Sequence, residues 1–153
     1  MEFHTKIILH PTDFSDNSAK ALQAAVDFLS IPKTKLVVLH VSESPTLLNN
    51  PSAVDIENEE RERKVVATLA MEKYLKSCFG NNEPIPVPER EILSHSSVYK
   101  GILDNIGKIS PYMVVIGQKG TSKLPHLLMG STTKHLVEKS TCPILVVPSN
   151  LQE

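Results

Sequence analysis

The chain has 153 residues, of which 41% are hydrophobic and 22% are charged, and its formal net charge at pH 7 is −1. This length fits one domain, so we expect residues 1–153 to form a single domain that buries roughly 70% of its unfolded surface. A net charge this close to zero argues against nucleic acid as the main partner, because binding to a phosphate backbone requires a basic face.

The sequence shows no sign of a membrane segment or of a metal site made by side chains. No apolar run approaches the ~20 residues of a membrane span, and the N-terminus lacks the apolar part of a signal peptide. Cys78 and Cys142 have no paired ligand spacing, which favours reduced structural thiols. The six histidines show neither H-x3-H nor H-E-x-x-H spacing. These features predict a cytoplasmic protein that does not contact membranes.

The first part of the chain predicts two buried strands with a helix between them. Lys6–His10 and Lys35–Val41 are apolar runs rich in β-branched residues, which are typical of parallel strands covered on both faces. Ser15 or Asp16 is a candidate N-cap for the intervening helix, whose apolar residues recur at helical spacing. Residues 42–52 contain Pro, Ser and Asn without any periodicity and predict a loop.

A longer helix and a weaker strand follow. A helical pattern runs from Asp55 to Phe79, and the charged cluster Glu57–Lys64 indicates a solvated face with near-neighbour charge pairs. The apolar positions of this pattern are Val65, Val66, Leu69, Tyr74 and Leu75. Arg90–Leu93 predicts a strand at a sheet edge, because three prolines precede it and proline is tolerated at edges.

The rest of the chain continues the alternation of strands and helices. Val98–Ile109 predicts an amphipathic helix, Met113–Ile116 a buried strand, Thr132–Ser140 a helix and Pro143–Val147 the last strand. This order predicts an α/β fold in which a five-stranded parallel sheet has helices on both faces. In such sheets, ligands bind beyond the carboxyl ends of the strands, at the topological switch point.

One stretch after the fourth strand has the features of an anion site. It contains three of the six glycines, namely Gly117, Gly120 and Gly130. The first two allow the backbone to approach a phosphate closely, and the third precedes a helix whose first amides lack intrahelical partners. Hydroxyls stand beside these amides, on Ser131, Thr132 and Thr133. The spacing therefore predicts that this loop and helix hold phosphate oxygens.

Two other strand ends belong to the same predicted edge. Asp13, which follows Pro11 and Thr12 after the first strand, is placed to accept hydrogen bonds from ribose hydroxyls. Val41, at the end of the second strand, offers main-chain groups to a base edge. The alternative is that the glycines serve turns and helix packing and that Asp13 is a helix cap. Neither G-x-G-x-x-G nor G-x-x-x-x-G-K-[ST] occurs, which disfavours a dinucleotide site and a P-loop.

These residues carry a resemblance to a known family. Gly117-x2-Gly120-x9-Gly130-Ser131 resembles the G-x2-G-x9-G-[ST] signature of the universal stress protein family. Ile8–Ser15 resembles the first strand of that family and its P-x-D-x-S turn, and Leu39–Val41 resembles the end of its second strand. Thr141–Val147 resembles its closing strand. The resemblance covers nearly the whole chain.

The resemblance implies a fold, a ligand and an assembly. It implies the strand order 3-2-1-4-5 and a homodimer formed through the last strand, Pro143–Val147. It also implies binding of ATP or AMP, with Asp13 at the ribose and Val41 at the adenine. The phosphates would be held by Gly117, Gly120, Gly130, Ser131 and Thr133. Mg²⁺ is the cation expected with the nucleotide, bound through phosphate oxygens and waters.

Two departures from the family pattern bear on this predicted site. His10 stands where an aliphatic residue is common, and a core or pocket-lining role is expected for it, the second of which would alter the floor of the pocket. Gln118-Lys119 replaces a pair that usually contains arginine, and either Lys119 or Lys123 is a candidate source of positive charge for the phosphates.

Three functions stay open at this point. The first is a nucleotide-binding module in stress response or signalling. The second is a slow ATPase or phosphotransferase, although no general base with a supporting partner and no Walker-type lysine is found near the predicted γ-phosphate. The third is a nucleotide-free dimeric interaction protein, because the family also contains members without the glycine motif. The intact motif favours the first of these.

Overall fold

The structure of the protein, a computed structural model, describes residues 4–44, 52–121 and 128–150. In these ranges five strands alternate with four α-helices, and a short 3-10 turn at Phe28–Ser30 follows the first helix. The elements are β1 (Lys6–Pro11), α1 (Asp16–Asp27), β2 (Thr34–Glu43), α2 (Ala53–Phe79), β3 (Glu89–His95), α3 (Val98–Ile109), β4 (Met113–Gly117), α4 (Ser131–Lys139) and β5 (Ile144–Val147).

The five strands form one parallel sheet in the order β3-β2-β1-β4-β5. This confirms the predicted α/β fold and the strand order that the family resemblance implies. It also confirms that the strand containing Arg90–Leu93 lies at a sheet edge. The switch point lies between β1 and β4, because the chain builds the sheet outward from β1 in one direction and then continues on the other side.

Two apolar cores cover the two faces of the sheet. Successive side chains of a strand point to opposite faces, so Ile8 packs with Leu22 of α1 and Met71 of α2 on one face. On the other face, Leu9 packs with Ile102 of α3 and Leu136 of α4. The helices therefore lie on both faces in pairs, α1 with α2 and α3 with α4.

The segment predicted as a loop over residues 42–52 is shorter than expected at both ends. β2 continues through Ser42 and Glu43, which pair with Ser94 and His95 of β3. At the other end, Ser52 caps α2 and its hydroxyl accepts a hydrogen bond from the Asp55 amide. Edge pairing and capping thus extend regular structure into a polar stretch that has no periodicity of its own. Residues 45–51 lie outside the described ranges.

The burial of α2 differs from what its apolar residues suggest. All four buried residues lie in its second half, at Ala67, Met71, Tyr74 and Leu75. Val65, Val66 and Leu69 are instead 55%, 66% and 66% exposed. The helix has 27 residues and is about 40 Å long, whereas seven-residue β3 spans only about 23 Å. The sheet therefore supports only part of α2, and the charged cluster Glu57–Lys64 is mainly solvated, as predicted.

Cys78 and Cys142 are free thiols, as predicted, and burial raises the pKa of the Cys78 thiol. In residues 4–44, 52–121 and 128–150, none of the helices combines the length and apolar character that a membrane crossing requires.

Candidate functional site

A cleft of about 210 Å³ opens at the carboxyl ends of β1, β2 and β4, where α3 and α4 begin. All ten residues of the predicted site line it: Pro11, Thr12, Asp13, Val41, Gly117, Gly120, Gly130, Ser131, Thr132 and Thr133. Seven further lining residues were not included in that prediction: Ser18, Leu39, Val98, Ile102, Ile116, Lys119 and Thr121. The fold thus brings together in one cleft groups that are more than 100 residues apart in the sequence.

The glycine loop lies directly against Asp13. A Cβ atom added at Gly120 would lie 2.2 Å from Asp13 Oδ2, so only glycine permits this approach. The same carboxylate oxygen accepts a hydrogen bond of 3.0 Å from the Thr121 amide. Gly117 is also closely surrounded, because a Cβ there would lie 3.1 Å from the main-chain oxygen of Asn17. Both glycines are therefore explained by close packing at the cleft.

Asp13 links the turn after β1 to the glycine loop. Its Oδ1 atom accepts a hydrogen bond of 3.0 Å from the Ser15 amide, while Oδ2 accepts the one from Thr121. The side chain is exposed, and a carboxylate has about four acceptor positions. About two positions thus remain for ligand hydroxyls. The two readings of Asp13 from the sequence, ligand acceptor and local cap, are compatible in this geometry.

The N-terminus of α4 points its unpaired amides toward the cleft. Gly130 is the N-cap, and no side chain caps the helix. The amides of the first turn have no intrahelical partner, and Ser131, Thr132 and Thr133 all line the cleft. The Thr133 hydroxyl, however, donates a 2.8 Å hydrogen bond to the Gly117 carbonyl and is buried. Its amide, rather than its hydroxyl hydrogen, is the group available to an anion.

The main chain of Val41 extends past the end of β1. The Leu39 carbonyl accepts a hydrogen bond of 2.8 Å from the Thr12 amide, and the last β1–β2 pair is Pro11 with Leu39. Main-chain groups alternate between the two edges of a strand. The amide and carbonyl of Val41 therefore point to the same edge of β2 as those of Leu39, toward β1. No residue of β1 stands opposite Val41. These two groups are therefore open toward the cleft.

An apolar wall beside Val41 was missed by the sequence reasoning. Val98 and Ile102 come from α3, and Ile116 comes from β4. The helix lies close to β2, because a Cβ added at Gly101 would be 2.8 Å from Val41 Cγ1. In the sequence these three residues look like core positions. Only their location at the start of a helix and at the end of a strand indicates that they face a ligand.

A strained turn holds the residues of the β1 end. Phe14 has a φ of 65°, a left-handed conformation that residues other than glycine seldom adopt. Its amide donates a 2.9 Å hydrogen bond to the Thr12 hydroxyl, and its ring stacks on His40 at 4.3 Å between centroids. The His40 ring in turn donates from Nδ1 to the Thr12 carbonyl at 2.9 Å. These contacts fix the turn that carries Asp13.

A buried polar network lies behind the cleft. The Ser18 hydroxyl donates a 2.6 Å hydrogen bond to the Thr12 hydroxyl and lies 3.0 Å from the Tyr74 hydroxyl. His10 Nδ1 donates to the Val115 carbonyl at 2.9 Å, and His10 Nε2 lies 3.2 Å from the Tyr74 hydroxyl. Two cleft residues, Thr12 and Ser18, are thereby connected to groups in the core of the other face.

Of the two roles expected for His10, the structure shows the core role, and His10 is not part of the cleft floor. Pro11 lines the cleft, so its neighbour His10 points to the opposite face, where Tyr74 of α2 lies. The ring is fully buried, and burial lowers its pKa to about 4. Because the Val115 carbonyl can only accept, Nδ1 carries a proton and Nε2 is the acceptor of a neutral ring.

Gln118 and Lys119 occupy the start of the glycine loop. The Gln118 carbonyl accepts a hydrogen bond from the Gly130 amide at 2.8 Å, and its side-chain nitrogen donates to the Leu128 carbonyl. Gln118 therefore joins the two described ends of the loop, a role that the sequence did not suggest. Lys119 is the one cationic side chain among the described residues that line the cleft. Lys123 lies outside the described ranges.

The described residues do not provide a metal site of their own. Over residues 4–44, 52–121 and 128–150, His, Cys, Asp and Glu side chains nowhere gather in a group of three that could hold an ion. The chemistry of the cleft is that of an anion site of main-chain amides and one lysine, next to one carboxylate and an apolar wall.

Comparisons with known proteins agree with this geometry. The model of the Universal stress protein family matches residues 4–148 of the chain. The universal stress protein YxiE of Bacillus subtilis is 30% identical over 152 residues, which cover 88% of this chain and 93% of YxiE. An uncharacterized protein of Schizosaccharomyces pombe, C167.05, is 26% identical over 141 residues, which cover 92% of this chain but only 23% of that longer protein.

Solved structures show the same fold at lower identity. The universal stress protein UspA of Lactobacillus plantarum superposes with a TM-score of 0.75 at 22% identity, and the match covers 95% of this chain and 99% of UspA. A universal stress protein solved in complex with cAMP has a TM-score of 0.61 at 15% identity, over 97% of this chain and all of that one. With the family match extending over nearly every residue, the chain belongs to the universal stress protein family.

Proposed function

We propose that the cleft binds an adenine nucleotide, ATP or AMP, and that the protein acts as a nucleotide-binding module in stress response or signalling. The observation that carries this proposal is the uncapped N-terminus of α4, which faces Asp13 across a cleft built on glycines. A phosphate suits the amides of that helix, and a ribose suits the carboxylate. The family member solved with cAMP supports an adenine nucleotide as the ligand class.

Each part of the nucleotide has a matching group in this arrangement. The adenine ring would pack against the apolar wall of Val98, Ile102 and Ile116, with its edge at the main-chain groups of Val41. Asp13 would accept from the ribose hydroxyls with its remaining acceptor positions. The amides of the first α4 turn would hold the phosphates, and Lys119 would supply positive charge. Mg²⁺ would enter with the phosphates, because cleft carboxylates other than Asp13 are lacking among the described residues.

Calorimetric titration of the purified protein tests the proposal. We expect saturable heat with ATP or AMP, and at 100 times the dissociation constant the bound nucleotide should stabilise the fold by about 2.7 kcal/mol. Mass spectrometry of nucleotide released from freshly purified, denatured protein should identify which one the protein retains. An absence of both heat and thermal shift at millimolar ATP and AMP would reject adenine-nucleotide binding.

We also propose that two copies associate through β5, as the family resemblance implies. β5 is an edge strand of four residues, and Leu145 is 36% exposed on it. Val137, on the α4 helix that packs on β5, is 49% exposed. An exposed edge with apolar side chains is a surface on which a second strand can pair.

Replacing Leu145 by lysine should convert the proposed dimer into a monomer, because it places a charged side chain on the edge that a second strand would cover. Sedimentation velocity measures the mass directly. Val87→Lys is the matched control, since Val87 is 56% exposed between α2 and β3 and lies far from β5 in the sheet order. A Leu145→Lys protein that sediments as a dimer would show that another surface holds the copies together.

A further inference from the structure

One face of α2 has an apolar centre that the fold leaves uncovered. Val65, Val66 and Leu69 are adjacent on the helix, and each is more than half exposed. Isolated exposed apolar residues are normal on a protein surface. These three differ because Leu69 lies four residues after Val65 and three after Val66, and residues at these spacings are neighbours on a helix surface. They therefore form one patch. We call the patch and the charged residues beside it the outward face of α2.

The outward face lies opposite the side that packs on the sheet. Ala67 and Met71 are buried against the core. At about 100° per residue, Val65 and Leu69 fall on the other side of the helix from these two. The helix therefore has two apolar sides, one used by its own domain and one exposed. The second is not needed to bury α2 on the sheet.

Charges of opposite sign flank the apolar patch along the helix. Glu62 precedes the patch, and Lys73 and Lys76 follow it on the same side. Among the ion pairs of the described residues, α2 contributes Arg61–Glu57, Arg63–Glu59 and Glu72–Arg90, but none that involves these three residues. Val66 stands four residues after Glu62 and Leu69 four before Lys73, so the patch occupies the helical neighbour position of each charge that faces the other.

We propose that the outward face of α2 docks antiparallel on the same face of a second copy of the chain. The pattern is symmetric about the midpoint between Ala67 and Thr68. Glu62 lies as far before this midpoint as Lys73 lies after it, and Val66 lies as far before it as Leu69 lies after it. A two-fold axis through that midpoint would put Val66 of each copy against Leu69 of the other. It would also bring Glu62 of each copy to Lys73 of the other, so both charge pairs are opposite in sign.

The charge pattern favours a second copy of the chain as the partner and an antiparallel direction of the two α2 helices. A parallel pair of α2 helices would place Glu62 against Glu62 and Lys73 against Lys73, which is repulsive. The antiparallel pair needs no partner other than a second copy. A single pair of helices buries less than the roughly 1,200 Å² of a stable interface, so we expect weak association that depends on concentration. It is separate from β5, because α2 packs on β3 at the opposite edge of the sheet.

Charge reversal tests the pairing in a Leu145→Lys background, which removes the proposed β5 contact. Sedimentation equilibrium of this parent protein should show a mass that rises from monomer toward dimer with concentration. Glu62→Lys and Lys73→Glu should each weaken association roughly tenfold or more, because each creates two like-charge contacts. The double variant should regain the parent's behaviour. An equimolar mixture of the two single variants should also associate, since every pair is again opposite in sign.

Lys108→Glu, an exposed charge reversal on α3, should leave association unchanged. The proposal is overturned if the parent stays monomeric at all concentrations, if the single variants associate like the parent, or if neither the double variant nor the mixture recovers. If Leu145→Lys does not fold, the same charge variants are made in the unaltered chain. Association through α2 is then measured as the increase in mass above the value at the lowest concentration, and the same results support or overturn the proposal.

Discussion

Gly120→Ala is expected to weaken ATP binding by roughly tenfold to a hundredfold without unfolding the protein. The added methyl group would lie 2.2 Å from Asp13 Oδ2, a distance at which one of the two groups must move. The Asp13 carboxylate is exposed and is the end of a side chain, so it can rotate away at small cost to the fold. Its hydrogen bond from the Thr121 amide and its position for a ribose would then be lost. Hydrogen bonds to a charged group contribute about 1.5–3 kcal/mol.

Gly107→Ala is the matched control for this experiment. Gly107 is an exposed residue of α3, and a Cβ there would meet no atom within 4 Å. The same chemical change at that site should leave ATP affinity unchanged and should slightly raise the melting temperature, because alanine favours helix. Calorimetry measures affinity, and circular dichroism checks the fold of both variants. If Gly120→Ala binds ATP as tightly as the unaltered chain, the contact between Asp13 and the loop has no part in binding.

The fold was predictable because its signals are local and repeated. Continuous apolar runs identified the strands and helical periods identified the helices, and the alternation of the two specified a parallel sheet. The ten predicted site residues follow from the rule that ligands lie at the carboxyl ends of such strands, from the glycine spacing before a helix and from the family resemblance. What the rule does not provide is the apolar wall, since Val98, Ile102 and Ile116 cannot be distinguished from core residues without knowing where α3 packs.

Two features that the sequence left open concern which way a side chain points. Val65 and Leu69 lie on the side of α2 opposite Ala67 and Met71, and the helical pattern alone did not say which apolar side packs on the sheet. His10 was expected in the core or lining the pocket, and strand alternation sends it to the face opposite Pro11. Applied to β1 alone, that alternation would have assigned His10 to the core, where it now allows a prediction about pH.

His10 should make the protein less stable as the pH falls from 7 toward 4. Its pKa is about 4 in the folded protein, whereas its ordinary value is 6.5. At a pH between these two values, His10 binds a proton in the unfolded chain but not in the folded protein. The free energy of unfolding therefore falls as pH falls, and the stabilisation is complete only above the ordinary pKa. One pKa unit corresponds to about 1.4 kcal/mol. The loss should be about 2 kcal/mol at pH 5 and about 3 kcal/mol below pH 4.

A His10→Gln variant isolates this effect from the titration of carboxylates. Glutamine keeps one donor for the Val115 carbonyl and one acceptor toward Tyr74 but does not titrate in this range. Urea unfolding at pH 7, 6 and 5 should therefore give a shallower pH dependence for the variant, even if its stability at pH 7 is lower. Parallel curves for the unaltered chain and His10→Gln would mean that the His10 ring accepts a proton in the folded state, which its enclosure between Val115, Ser18 and Tyr74 opposes.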